Sequence, residues 1–528
     1  MTAGAAQPPI ADYALLSDRQ TAALVAHGSV DWMCLPRFDS ASAFTRLLGD
    51  ADASRWLIAP VGGTSESRAY RDASFILDTH WRTPTGAAIS TDFMPTPSGE
   101  HQVHLLRGIE CTEGTTEVVV ELTVRFDYGR VTPWVRQLPG DDGPVLSMIA
   151  GPDALTFHGP ELTPDGRAHR GTFTLTAGQR LDWTMTWRPS HKDLPAPLDA
   201  SGLAARTLAD WQAWSDAVHA PCRWAPAVDR SMAVLRALTL HSTGGVVAAP
   251  TTSLPEVLGG ERNWDYRHCW LRDSAFTISV LAGRGHHHLA GQWRDWLLRA
   301  IAGDPDDLQI MYGVDGERRL PEQTLDHLAG YAASEPVRIG NGAVTQYQAD
   351  VVGEVIVALA RLREAGMPED RFSWSLQRSL LRLLDARFDV PDHGIWEVRG
   401  EPRHFTHGRV MMWAAYDAAV RGATEHDLPG PVDAWRDRRD RLRSTILSTG
   451  VRDGAFVQHD ETDQVDAALL QLPQVGFVAA DDPLMLATVE RIERELIDAN
   501  GFVRRYLPGD DDGLRGTEGS FLMCRGRS

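Results

Sequence analysis

Two glutamates stand in settings that could give them opposite tasks. Glu397 follows a tryptophan in GIWEVRG (394–400), and Glu518 lies in GTEGSFLMC (516–524), just before an apolar run that could open a helix. An indole beside a carboxyl removes water and raises its pKa, which leaves a proton to donate, although Arg399 would pull the other way. The N-terminal end of a helix favours the ionised carboxylate instead, as a base requires. One protonated and one ionised carboxyl are what cleavage of a glycosidic bond needs, the first for the leaving oxygen and the second for water. By type and position alone, however, these are two acids among 71, and an ordinary ion-pair role fits either of them equally well.

Aromatic content points to the same chemistry. The chain has 17 tryptophans, and Trp264, Trp270 and Trp396 lie in loops beside acids and arginines. Indole faces pack on the C–H faces of sugar rings while Asp, Glu and Arg bind hydroxyls. A core role explains any single tryptophan as well. The loop ERNWDYRHCWLRD (261–273) is harder to read as filling, because it combines two Trp, a Tyr and three Arg with Glu and Asp.

Other chemistries lack their residues. Lys192 is the one lysine among 52 basic residues and is followed by Asp193, so no P-loop can form, and its Pro-rich surroundings do not suit a Schiff base. His-Glu-x-x-His, Gly-x-Ser-x-Gly and Gly-x-Gly-x-x-Gly are all absent from the sequence. The runs His286 to His288 and Asp510 to Asp512 lack metal-ligand spacing and read as solvated turns; no metal or cofactor is expected. Five scattered cysteines (Cys34, Cys111, Cys222, Cys269, Cys524) contain no Cys-x-x-Cys and argue for a reducing compartment. A net charge of −19 repels nucleic acid and anionic lipid. The start shows no basic and apolar leader pattern, so a cytoplasmic protein is expected.

The elements that must position these residues change character once along the 528 residues. Up to about Arg188 the pattern has period two, as in 117–131, 154–159 and 171–188, which predicts an antiparallel β-sandwich. KDLPAPLDASG (192–202) then breaks the chain. Spacings of three and four follow, predicting a buttressing helix over 203–219 and further helices over 227–241, 273–283, 289–302, 346–365, 373–387, 408–423, 431–448 and 483–498. Helices alternating with long aromatic loops suggest an α/α arrangement whose loops carry the site.

In these loops the sequence resembles glycoside hydrolase family 15, the glucoamylase and trehalase family. The likeness starts at IADYALLSDRQTAALVAHGSVDWMCLPRFDS (10–40), which is similar to the trehalase-like N-terminal domain of prokaryotic members. It runs through RFDYGR (125–130), APTTSLPE (249–256), RNWDYRHCWLRDS (262–274), DLQIMYGVDGERRLPE (307–322), VRIGNGA (337–343), GIWEVRG and FVQH (456–459) to GTEGSFLMC. The resemblance implies a β-sandwich (1–195), a linker helix (196–225) and an (α/α)₆ catalytic domain (226–528). Relatives continue past Cys524 into further helices, so the barrel is expected to be incomplete at its C-terminal end.

It also implies roles. Glu397 would be the general acid and Glu518 the general base of a single-step inverting hydrolysis. Arg272 and Asp273, in Trp-Leu-Arg-Asp, would grip the 4- and 6-hydroxyls of the non-reducing glucose, with Trp264, Asp265, Tyr266, Trp396 and Arg399 as pocket walls. Relatives often read Ser-Lys where this chain has Gly408 and Arg409. The implied activity is exo-acting release of glucose from an α-glucoside, α,α-trehalose first. The alternatives are glucoamylase-type cleavage of α-glucans or malto- and isomalto-oligosaccharides, and a truncated, inactive sugar-binding remnant. A phosphorylase would replace the base by phosphate, and Glu518 counts against it.

Overall fold

The computed structural model describes residues 7–50, 53–97, 102–140, 143–217, 223–507, 513 and 519–521. They form two compact units. The first takes the chain up to Ser242 with Ala249–Leu254 and Leu325–Ala333, and the second takes Thr243–Ala248, Pro255–Thr324 and the chain from Ser334 onward.

In the first unit, β-branched and aromatic residues alternate with polar ones, and the result is an antiparallel network of 15 strands. Its longest strand, Val103–Thr123, serves two neighbourhoods. The first half pairs with Gly86–Phe93 and Arg180–Pro189, and the second half with Arg55–Pro60 and Ala168–Thr176. Side chains from both neighbourhoods share one core, in which Trp56 meets Phe157 edge-on at 5.3 Å. The expected strand stretch 171–188 is two strands joined by a turn in which Gly178 has φ +86. Helices α1 (Ala200–Asp216) and α2 (Ala225–Ala237) belong to this unit, α1 being capped by Asp199, which accepts the Gly202 N–H at 3.1 Å.

Helices dominate the second unit: α3 (Leu271–Gly283), α4 (His287–Ala300), α5 (Asp350–Glu364), α6 (Arg371–Ala386), α7 (Thr406–Glu425), α8 (Val432–Thr449) and α9 (Pro483–Leu496). In α5 and α7 apolar residues run around most of the circumference, and both are largely buried; α5 packs on α3 and α7, and α7 on α8. The outer α8 buries only Trp435, Leu442 and Ile446. His286 to His288 do not form a turn as expected, because His287 and His288 begin α4. Among the described residues no cluster of His, Cys, Asp and Glu could hold a metal, and no helix is long and apolar enough to cross a membrane. Cys34, Cys111 and Cys269 are buried; Cys222, Cys524 and Asp510 to Asp512 lie outside the described residues.

Candidate active site

The second unit brings two distant loops together around Glu397. In 392–400, the Asp392 carboxylate accepts the Gly394 N–H at 2.5 Å, and the chain turns so that the Glu397 N–H reaches the Gly394 carbonyl at 3.1 Å. Gly394 has φ +66, and a Cβ there would also meet the Phe405 ring at 2.9 Å, so only glycine fits. Glu397 itself is left-handed, with φ +58, a conformation that costs a non-glycine residue about 1 kcal/mol or more and must be held by its surroundings. Gln346 provides part of that hold, donating to the carbonyls of Glu397 and Val398 at 3.3 and 3.1 Å.

Arg272, in the first turn of α3, provides the rest. Its guanidinium donates to the Ile395 carbonyl at 2.9 Å and to Glu397 Oε1 at 3.3 Å, and it pairs with Asp273 at 3.3 Å. Trp270, the residue before α3, donates its indole N–H to the same Glu397 oxygen at 2.6 Å. Glu397 keeps one fifth of its side chain exposed, so a substrate can reach it. Burial pushes its carboxyl above the usual value; Arg272 opposes this, Asp273 adds to it, and the Trp270 N–H opposes it. The indole and guanidinium on the carboxyl are therefore Trp270 and Arg272, in place of the Trp396 and Arg399 that the local sequence suggested.

Burial works against the charge of Arg272, but Asp273, Glu397, Asp350 and Glu354 outweigh it and keep the guanidinium firmly protonated. Asp350, the first residue of α5, is fully buried, and neither of its oxygens accepts a hydrogen bond from another residue's side chain. Burial raises it to about 6 against the pull of Arg272. Asp392 is raised well above its usual value by burial and then by Asp350. The site thus holds several carboxyls that bind protons more tightly than in water around one permanent cation.

The remaining expected residues divide. Tyr266 is half-buried with its ring 5.8 Å from that of Trp270, so it borders the acid. Trp264 carries the guanidiniums of Arg338 and Arg399 at 4.6 and 4.4 Å, and Arg399 pairs with Glu322 at 2.8 Å. Asp265 is 1 % exposed and commits its carboxylate to Arg267 at 2.7 Å and to the Gly340 N–H at 3.0 Å. Burial would raise its pKa, but Arg267 and His268 hold it well below the usual range. Its position is that of a structural ion pair rather than a pocket wall. Trp396 turns its indole N–H to Asp466, at 3.0 Å. Arg409 pairs with Asp460 at 3.5 Å, and a Cβ on Gly408 would lie 3.0 Å from Asp392 Oδ2.

Glu518 lies outside the described residues. Those just after it are described: the Phe521 N–H donates to the Val503 carbonyl at 2.9 Å, and its ring meets Trp396 edge-on at 6.2 Å. Gln346, Asp350 and Asp466 were not among the residues expected from sequence, and Trp270 was expected as a sugar-facing aromatic, not as a hydrogen-bond donor to Glu397.

Comparison with known proteins shows the family and the fold. The pattern described as glycosyl hydrolases family 15 matches residues 226–526, and that of the trehalase-like N-terminal domain matches 1–169. A trehalase of Mycolicibacterium smegmatis is 37% identical, covering 98% of this chain and 81% of its own. A trehalase of Thermoplasma volcanium is 31% identical, covering 98% and 83%. A bacterial glucoamylase crystallised with acarbose shares the fold, with a TM-score of 0.69 at 12% identity over 96% of this chain and 83% of that one.

Proposed function

This chain belongs to glycosyl hydrolase family 15 and is a glycoside hydrolase, and on that premise we propose that it cleaves α,α-trehalose to two glucoses by a single inverting displacement. The observation that carries the reading is the Glu397 carboxyl, raised by burial yet reachable from solvent, with its orientation fixed by Trp270 and Arg272. A carboxyl that holds its proton more tightly than an exposed one can hand it to the glycosidic oxygen as the C1–O bond breaks.

Glu518 is assigned as the base. It takes a proton from water as the water oxygen attacks C1 from the opposite face, which requires the two carboxyls to stand ~6.5–9.5 Å apart. The reaction consumes one water; Glu397 ends ionised, Glu518 ends protonated, and exchange with solvent resets both. Asp273 and Arg272 hold hydroxyls of the glucose being attacked, and Tyr266 flanks it. Residues 1–195 are assigned to a β-sandwich, 196–225 to a linker and 226–528 to an (α/α)₆ catalytic domain. The scattered cysteines, with no Cys-x-x-Cys pair, support a cytoplasmic setting.

Glucose release from trehalose, maltose, isomaltose and starch, compared at equal glycosidic-bond concentration, tests the substrate. Trehalose is expected to give the highest kcat/KM. A preference for maltose or starch would replace the reading by a glucoamylase-type one.

A further inference from the structure

The acid loop and the segment after Glu518 meet at one side chain. Trp396 is covalently next to Glu397, and its ring is the surface on which Phe521 rests. Arg505 lies over both rings, 5.9 Å from Trp396 and 5.8 Å from Phe521. The ring needs something to fix its angle, since edge-on contacts and a guanidinium allow it to tilt. Asp466 does so. It is 1 % exposed, accepts the Trp396 N–H at 3.0 Å, and is anchored by its own chain, since the next residue, Ala467, donates its N–H to the Arg505 carbonyl at 2.8 Å.

We propose that Asp466 is a positioning residue for hydrolysis: by holding the Trp396 indole it sets both the backbone of Glu397 and the seat of Phe521. Among the described hydrogen bonds of Glu397 none comes from Asp466, which acts through the ring. The left-handed Glu397 makes the loop sensitive to this, because a strained φ relaxes when its neighbour is released. Burial raises the Asp466 carboxyl to about 7, opposed by the Trp396 N–H, so it is a neutral-to-weakly-ionised acceptor for which an amide oxygen is a fair substitute.

The inference rests on the assignment of Glu397 and Glu518 above, and its test has one arm that needs no turnover. In the full-length chain, Asp466→Ala is expected to lower kcat on trehalose about ten-fold or more with KM within about three-fold, whereas Asp466→Asn stays within about three-fold of the parent in both. In a Trp396→Phe background, which lacks the N–H, adding Asp466→Ala costs less than about two-fold. Losses that multiply, or an Asn variant as poor as the Ala variant, would overturn the proposal. Hydrogen exchange supplies the second arm: Asp466→Ala and Trp396→Phe should each speed exchange in 394–400 and at the Phe521 amide, while Asp466→Asn leaves both unchanged. Unchanged exchange in the Ala and Phe variants overturns the proposal whether or not the parent hydrolyses trehalose. A parent inactive on trehalose with the expected exchange pattern sinks the substrate reading instead. Should Asp466→Ala fail to fold, Trp396→Phe against Asp466→Asn decides by the same two readouts.

Discussion

Replacing Glu397 by Gln removes one proton and almost nothing else. The amide is isosteric, and its oxygen can keep the 2.6 Å bond from Trp270. Arg272 loses its 3.3 Å contact with a charge but keeps the Ile395 carbonyl at 2.9 Å and Asp273 at 3.3 Å. Relief from burying an ionisable carboxyl offsets part of that loss, so the unfolding free energy should change by less than about 1 kcal/mol. Catalysis should change far more. A positioned general acid contributes ~10²–10⁴-fold, or ~3–5 kcal/mol of barrier, and the poor alkoxide leaving group of a disaccharide calls for the upper part of that range. The discriminating assay compares trehalose with α-glucosyl fluoride, whose leaving group needs no proton from the enzyme. Glu397→Gln should lose ~10³-fold or more on trehalose and at most about ten-fold on the fluoride. Equal losses on both substrates, with an unchanged unfolding midpoint, would refute the acid role and leave Glu397 as a binding group.

Asp265→Ala separates structure from substrate binding, because it removes the buried ion pair with Arg267 and the acceptor of the Gly340 N–H. A cost of ~3–5 kcal/mol is expected in urea unfolding, and lost turnover at an unchanged midpoint would restore Asp265 as a substrate ligand. Three buried carboxyls should also make stability fall as pH rises from about 4 to 7, while His104, His169, His241 and His404, lowered chiefly by burial, act in the opposite direction up to about pH 6.5. Asp18 and Asp466 are raised to about 7 and Asp350 to about 6 from an ordinary 3.8, each chiefly by burial, so the folded state binds these protons more tightly than the unfolded chain. Their contribution is full below the unfolded value and is lost as pH passes through the folded one; Asp265, shifted the other way, acts only at more acid pH. Calorimetric melting at about pH 5 and about pH 8 should show the parent's midpoint falling more, or rising less, than that of Asp466→Asn by a few degrees; the same pH response in both contradicts this.

What the sequence could reveal followed from how local each determinant is. Amphipathic spacing locates α6 to within two residues, because Asp370 caps it and its apolar stripe is its own. It fails at the start of α5, expected from 346. Gln346 is extended there, and the amides of Gln346 and Gln348 are taken by the acid loop and by Arg272, which no local pattern encodes. The same holds in the site. Trp-Glu-x-Arg identifies Glu397, yet the indole that binds it comes from Trp270, 127 residues away, while the adjacent Trp396 is taken by Asp466. Asp265 has the composition of a sugar ligand, and only the fold shows that Arg267 claims it.

The central claim is that one displacement, with acid and base on opposite faces, releases glucose. Early time points of trehalose hydrolysis in ¹⁸O-enriched water, followed by NMR for the anomer and mass spectrometry for the label, test it most directly. Inversion at the attacked carbon predicts equal initial amounts of α- and β-glucose, since the leaving glucose keeps its own anomeric bond, with the label only in the β-anomer. Initial release of α-glucose alone, with label in it, would contradict the account.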